Sequence, residues 1–224
     1  MITRAVFRLH PIPVATASYV ATLPTAAEAS KLVLAILDSH LVYTGLQIHA
    51  RRADQVLVHV RFEGIPESLL DQYAKLGRIA GACKFVECAG EVWSERQKLF
   101  VNPGSSVICK CCVLPSQIGS LCDALFRQAG PAELAVTLVA QGTGLAEVRL
   151  DAAGRQPLMT VLHALRSEVD RLQGTMTVSQ CPIAMKDELD VWGTVKDALP
   201  LMQRIKQKFD PGQTLNPGRF VGGI

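Results

Sequence analysis

The chain has 224 residues, of which 49% are hydrophobic and 19% charged, and its net charge is +3. That balance makes a folded chain with one sizeable core and excludes a disordered one, while so small a charge excludes the basic stripe of a dedicated nucleic-acid binder. No apolar run is long enough to span a bilayer, no secretion leader is visible, and seven cysteines, an odd number, point to free thiols in the cytoplasm.

Residues 2–22 read as strand-like, with Ile2 to Leu9 running into a break at His10-Pro11-Ile12-Pro13. Thr25-Ala26-Ala27-Glu28 has the pattern of a capping box, in which a hydroxyl and a carboxylate satisfy free backbone donors at a helix start. Behind it Ala29, Leu32, Val33, Ile36 and Leu37 form the apolar stripe of a helix. Strands follow near 42–50 and 55–62, the second with Val56, Val58, Val60 and Phe62 on one face and His59 and Arg61 on the other. A helix from Pro66 carries Leu69, Tyr73, Leu76 and Ala80, and a short strand from Cys83 to Glu87 closes the half.

The second half repeats this order. It has a strand at 105–113, a helix with Ile118, Leu121, Cys122, Leu125 and Phe126 on one stripe and Gly130 as its stop, and strands near 133–140 and 145–150. A helix from Pro157 buries Leu158, Val161, Leu162, Leu165 and Leu172, and a strand at 175–179 ends the half. Strand–helix–strand–strand–helix–strand, twice over, predicts an α+β fold of two ferredoxin-like repeats, with a largely antiparallel sheet and helices on one face. Repeat one is 1–89, a linker 90–104, repeat two 105–180, and a C-terminal helix (about 196–208) and tail 181–224, together one domain of 1–224. The sheet's other face is then solvated or covered.

Five histidines, at 10, 40, 49, 59 and 163, lack the spacing of metal ligands and read as isolated side chains, so no metal is expected. In Cys109-Lys110-Cys111-Cys112 the strand period puts Cys109 and Cys111 on one face and Cys112 on the other, a pattern of packed thiols that extends to Cys83 and Cys88. Gln141-Gly142-Thr143-Gly144 lies between two strands, so it reads as a hairpin turn rather than a phosphate cradle, which must open a helix. No nucleophile elbow or triad order is present, and no catalytic residue can be named.

Two stretches remain. Trp93-Ser94-Glu95-Arg96 in the linker either anchors the chain or aims Arg96, beside Trp93, at an anionic substrate or cofactor, since a guanidinium pairs bidentately with carboxylates. The tail FDPGQTLNPGRFVGGI is stiffened by Pro211 and Pro217, while Asn216 and Arg219 offer donors at fixed places. It either folds back on its own domain or holds a polar ligand edge or an anion.

The run Ile205 to Pro211 with Leu215-Asn216-Pro217-Gly218-Arg219 resembles the end of FAD-linked oxidases of the vanillyl-alcohol oxidase type. Asp190-Val191-Trp192-Gly193, Leu201-Met202 and the terminal Arg219-Phe220-Val221-Gly222-Gly223-Ile224 are most similar to the FAD-binding E subunits of bacterial glycolate oxidases. The opening Ile2-Thr3 with Arg8-Leu9-His10-Pro11 resembles the point where such proteins leave their FAD domain and enter their cap. The resemblance implies a C-terminal cap domain whose FAD domain, with its glycine-rich loops, is not in this chain and is supplied in cis or as a separate chain. It implies FAD in the whole enzyme, a small 2-hydroxy acid as substrate, other glycolate-oxidase-type subunits as partners, and no activity of this chain alone. A cytoplasmic setting follows, peripheral to the inner membrane through partner subunits if at all. Asn216 and Arg219 are then the flavin-side candidates, and Arg96 with Trp93 the substrate-side ones. The family's paired cap histidines with an acid have no counterpart here, which keeps a second expectation open: a non-catalytic subunit-docking module on a ferredoxin-like scaffold.

Overall fold

A computed structural model describes residues 3–7, 11–101, 104–193, 195 and 197–224. The chain folds as an α+β domain with one eight-stranded antiparallel sheet and, among the described residues, six α-helices. The strands are β1 (Ala15–Leu23), β2 (Gly45–Arg52), β3 (Gln55–Gly64), β4 (Val86–Glu87), β5 (Val107–Cys112), β6 (Ala135–Gln141), β7 (Leu145–Asp151) and β8 (Thr175–Gln180). The helices are α1 (Ala26–Leu37), α2 (Pro66–Ala80), the single turn α3 (Glu95–Lys98), α4 (Ile118–Ala129), α5 (Arg155–Arg171) and α6 (Leu199–Phe209).

The sheet order is β4-β1-β3-β2-β6-β7-β5-β8, which is a palindrome. The order 4-1-3-2 of the first half meets its mirror image in the second, so equivalent strands β2 and β6 pair at the seam, with Gln47 opposite Gln141 and Ala50 opposite Leu138. The helix layer has the same seam. Gly119 at the start of α4 lies so close to α1 that a Cβ there would stand 3.0 Å from the Ala26 carbonyl oxygen, so a larger residue would push the helices apart.

Period-2 alternation decides which side chains enter the core. Val56, Val58, Val60 and Phe62 of β3 and Val136, Leu138 and Ala140 of β6 are buried against the helices. Cys109 and Cys111 join them from β5, while Cys112 points away and is exposed. Cys83 and Cys88 are only half-buried, because they flank the two-residue strand β4 at the sheet's edge rather than sitting inside it.

Several boundaries differ from expectation. The first strand begins at Ala15, and residues 3–7 and 11–14 form no strand; Ile2, Arg8, Leu9 and His10 lie outside the described residues. Ala15 pairs with Gly64, the last residue of β3, so nothing remains beyond it to pair with, and Pro11 and Pro13 have no N–H to offer. The closing strand of the first half shrinks from 83–87 to Val86–Glu87, and α5 starts at Arg155, ahead of Pro157. Thr25 does cap α1, its Oγ1 accepting from the Glu28 N–H at 3.2 Å, and Gly130 does end α4. Gln141–Gly144 is the hairpin turn between β6 and β7.

Candidate functional site

The linker residues Trp93 and Arg96 lie on the face of the sheet opposite the α1, α2, α4 and α5 layer, a face the chain covers itself with the linker. Trp93 donates from Nε1 to Ser18 Oγ at 2.9 Å, and the Arg61 guanidinium sits 5.0 Å from its ring centroid. The ring rests on Gly45, where a Cβ would come within 2.7 Å of it, so only glycine admits the indole. Beyond it, Arg96 grips Glu147 of β7, Nη2 donating to Oε1 at 2.6 Å and Nε to Oε2. Arg149 extends the fastening, donating to the carbonyl oxygens of Leu99 at 3.0 Å and Val101 at 2.9 Å while pairing with Asp151.

Sequence spacing missed what this cover encloses. His49 and His59, ten positions apart on neighbouring strands, meet with ring centroids 4.3 Å apart and ring planes tilted by 45°. The register sets Gln47 opposite His59 and His49 opposite Leu57, so the imidazoles meet diagonally on one face. His49 Nε2 donates to Gln47 Oε1 at 2.8 Å. His59 is 3% exposed, its Nδ1 lies 3.9 Å from Cys88 Sγ, and its buried Nε2 has no hydrogen-bond partner among the described residues. Burial pushes the His49 imidazole down to about 3, helped by the neighbouring His59, and burial takes His59 to about 4 against the opposing pull of the Glu95 carboxylate, so both are neutral near pH 7. His40 and His163 are exposed and apart from this pair, and His10 lies outside the described residues.

Asn216 and Arg219 lie elsewhere, at the other end of the sheet. The tail folds back along α6: Lys206 Nζ donates to the Leu215 carbonyl at 2.6 Å, and Phe220 meets Trp192 edge to face at 5.0 Å. Asp210 organises the turn, its carboxylate accepting from the Thr214 N–H, the Thr214 hydroxyl and the Leu215 N–H, each at 2.9 Å. The ion pair with Lys206, then those N–H groups, holds the Asp210 carboxyl well below the usual carboxylate range. Together these residues enclose an open groove of about 720 Å³, with Trp192, Met202, Ile205, Phe209, Leu215 and Phe220 as apolar lining and Asn216 and Arg219 as polar lining. β5 and β8 separate this end from the β7 strand that holds Arg96, so the two pairs of expected site residues do not form one site.

The chemistry offered is limited. Among the described residues no group of three or more His, Cys, Asp and Glu side chains has a geometry able to hold a metal ion, and none of their helices is long and apolar enough to cross a membrane. Burial raises the thiols of Cys83, Cys88 and Cys181, the opposite of activation. A flavin would find free donors at Asn216 and Arg219 beside aromatic rings, but the glycine turn at 142–144 joins two strands and opens no helix to take a pyrophosphate.

No family model matches the sequence, and no curated protein matches it. Solved structures do. The fold is similar to that of an alkyldihydroxyacetonephosphate synthase, with 11% identity over 90% of this chain and a TM-score of 0.57. It is similar to a 4-ethylphenol oxidase from Gulosibacter chungangensis in complex with isoeugenol (12% identity, 94% of this chain, TM-score 0.60). A chitooligosaccharide oxidase matches over 88% of the chain at 12% identity, with a TM-score of 0.51. The chain spans 44%, 54% and 53% of those three proteins' lengths, and at such identities the likeness establishes the fold alone.

Proposed function

We propose that this chain is the cap domain of an FAD-dependent oxidoreductase acting on a 2-hydroxy acid, of the kind formed by the E subunit of bacterial glycolate oxidase. The observation that carries the cap-domain part of the reading is the shared fold, and the 2-hydroxy-acid part rests on the resemblance of the tail residues. Nearly the whole chain superposes on about half of each of three FAD-linked enzymes, which leaves the other half of such a protein to a flavin-binding domain. The repeated 4-1-3-2 strand order is, in this reading, a pair of ferredoxin-like units. Bound FAD would accept the hydride from the substrate's carbinol carbon, and this chain's own residues would position and cover. Asn216 and Arg219 are the residues that would meet the flavin's polar edge or its domain. Arg96 would meet a substrate carboxylate only by leaving Glu147.

Co-production with a flavin-domain protein encoded beside this chain tests the reading. A 2-hydroxy-acid-dependent reduction of an acceptor dye, present only with both chains and weakened by Arg219→Ala, is the expected result. Stoichiometric flavin held tightly by the 224-residue chain alone, or no gain on mixing, overturns it. One observation favours the second reading, a docking module without a catalytic part: the face that would line a substrate site is strapped by Trp93 and Arg96. If activity of the complex is unchanged in Arg96→Lys, with neither KM nor kcat moved, that second reading holds.

A further inference from the structure

Helix α6 buries none of its residues, and its apolar side chains Leu201, Ile205 and Phe209 recur every four positions as one bare stripe. Leu201 is 56% and Phe209 78% exposed, which is costly for a surface in water unless something covers it. Of the charged side chains lining the groove beside it, Lys206 and Asp210 pair with each other and Arg219 is left over. Asp210 is committed to Lys206 and the tail's N–H groups, whereas Arg204, Lys208 and Arg219 have no acidic partner among the described residues. The Arg219 guanidinium at the groove's wall has no hydrogen-bond or ion-pair partner there.

Taking the cap-domain reading above as its basis, we infer that the α6–tail groove seats an apolar segment of the flavin-binding partner headed by a carboxylate, and that Arg219 receives this carboxylate. The groove's volume of about 720 Å³ takes several side chains, and a guanidinium beside an apolar floor selects an anion with a greasy body. A second copy of this chain fits poorly, because a two-fold contact would set the cations of one rim against those of the other.

The test uses the whole chain with two probes of equal tail length and opposite charge, sodium decanoate and decyltrimethylammonium bromide, followed through Trp192 fluorescence and calorimetric titration. Decanoate is expected to bind at least about tenfold more tightly, the worth of one charge-assisted contact. In Arg219→Gln that preference should shrink to near unity with circular dichroism and Tm unchanged. Equal binding of the two probes, binding of neither, or a preference that survives in Arg219→Gln overturns the assignment. Dimers in sedimentation would give the groove to a second copy, and flotation with phosphatidylglycerol vesicles would give it to a membrane; either overturns it too. No flavin protein enters these titrations, so their failure is separate from a failure of the co-production experiment.

Discussion

Arg96 and Glu147 form a two-point ion pair that ties the linker to the middle of the sheet, with 41% of the arginine side chain exposed but only 5% of the glutamate. The asymmetry matters. Removing the arginine strands a buried carboxylate, whereas removing the carboxylate frees a cation that water can reach. Arg96→Ala is expected to lower stability by about 1–3 kcal/mol, below the figure for a fully buried pair because one partner is half in solvent. Glu147→Gln should cost less, and the double variant less than the sum, by urea denaturation of all four proteins.

The paired histidines set the response to acid. Their imidazoles are neutral in the folded chain, at about 3 and about 4, but take a proton near 6.5 when unfolded. The unfolded state therefore binds more protons below pH 6.5, and stability falls as pH drops from there towards 4. Each histidine contributes up to about 1.4 kcal/mol per pH unit. Urea midpoints between pH 7 and 4.5, a window above most carboxylate titrations, should fall steadily, and His59→Phe should flatten the slope. A midpoint flat across that window would contradict the burial of this pair.

Gly45 is expected to tolerate no side chain. In Gly45→Ala the new methyl would lie 2.7 Å from the Trp93 ring, so the indole must leave and break its bond to Ser18. Tryptophan emission should shift to the red and the linker become open to protease between β4 and β5. Gly90→Ala, with nothing near its Cβ, is the control.

Asp210→Asn should loosen the tail while leaving the sheet intact. The substitution removes the charge that Lys206 holds and weakens the acceptors of three hydrogen bonds from residues 214 and 215. Proteolysis between Pro211 and Arg219 should quicken several-fold with little change in Tm. The wild-type tail should stay closed well into the acid range, because a depressed carboxyl keeps its charge until pH falls through its folded value.

Thiol labelling separates the cysteines by depth. Burial raises Cys111 and Cys122 to about 12 and Cys109 well above its ordinary value. Those three should stay unlabelled by an aromatic disulfide reagent at pH 8 until denaturant is added, with exposed Cys112 reacting first.

Local signals in the chain carried much of this fold. The Thr25 cap, the alternation of Val56 to Phe62 and the Gly142 and Gly144 turn each depend on neighbours within a few residues, and each is realised. What stayed hidden depends on register. His49 and His59 have no telling spacing, and they meet because the register that sets Gln47 opposite His59 leaves His49 two residues along on the same face. The strap was hidden for a related reason. Arg96 and Glu147 are 51 positions apart, and nothing near either residue shows that the linker doubles back over the sheet. Asn216 and Arg219 were visible as candidates, but their setting, a bare groove two strands from Arg96, belongs to the packing of α6.

The palindrome of strands bears on how the molecule holds together. Where β2 meets β6, two like halves are joined as subunits of a homodimer would be, except that a tether keeps each in the other's neighbourhood at millimolar effective concentration. A half cut free would present β2 as a raw, unpaired edge with no charged residue between Gln47 and Ala50 to discourage pairing. Its natural fate is to find another of its kind through that edge. Joining the halves in one chain turns that association from an equilibrium set by concentration into a fixed part of the fold.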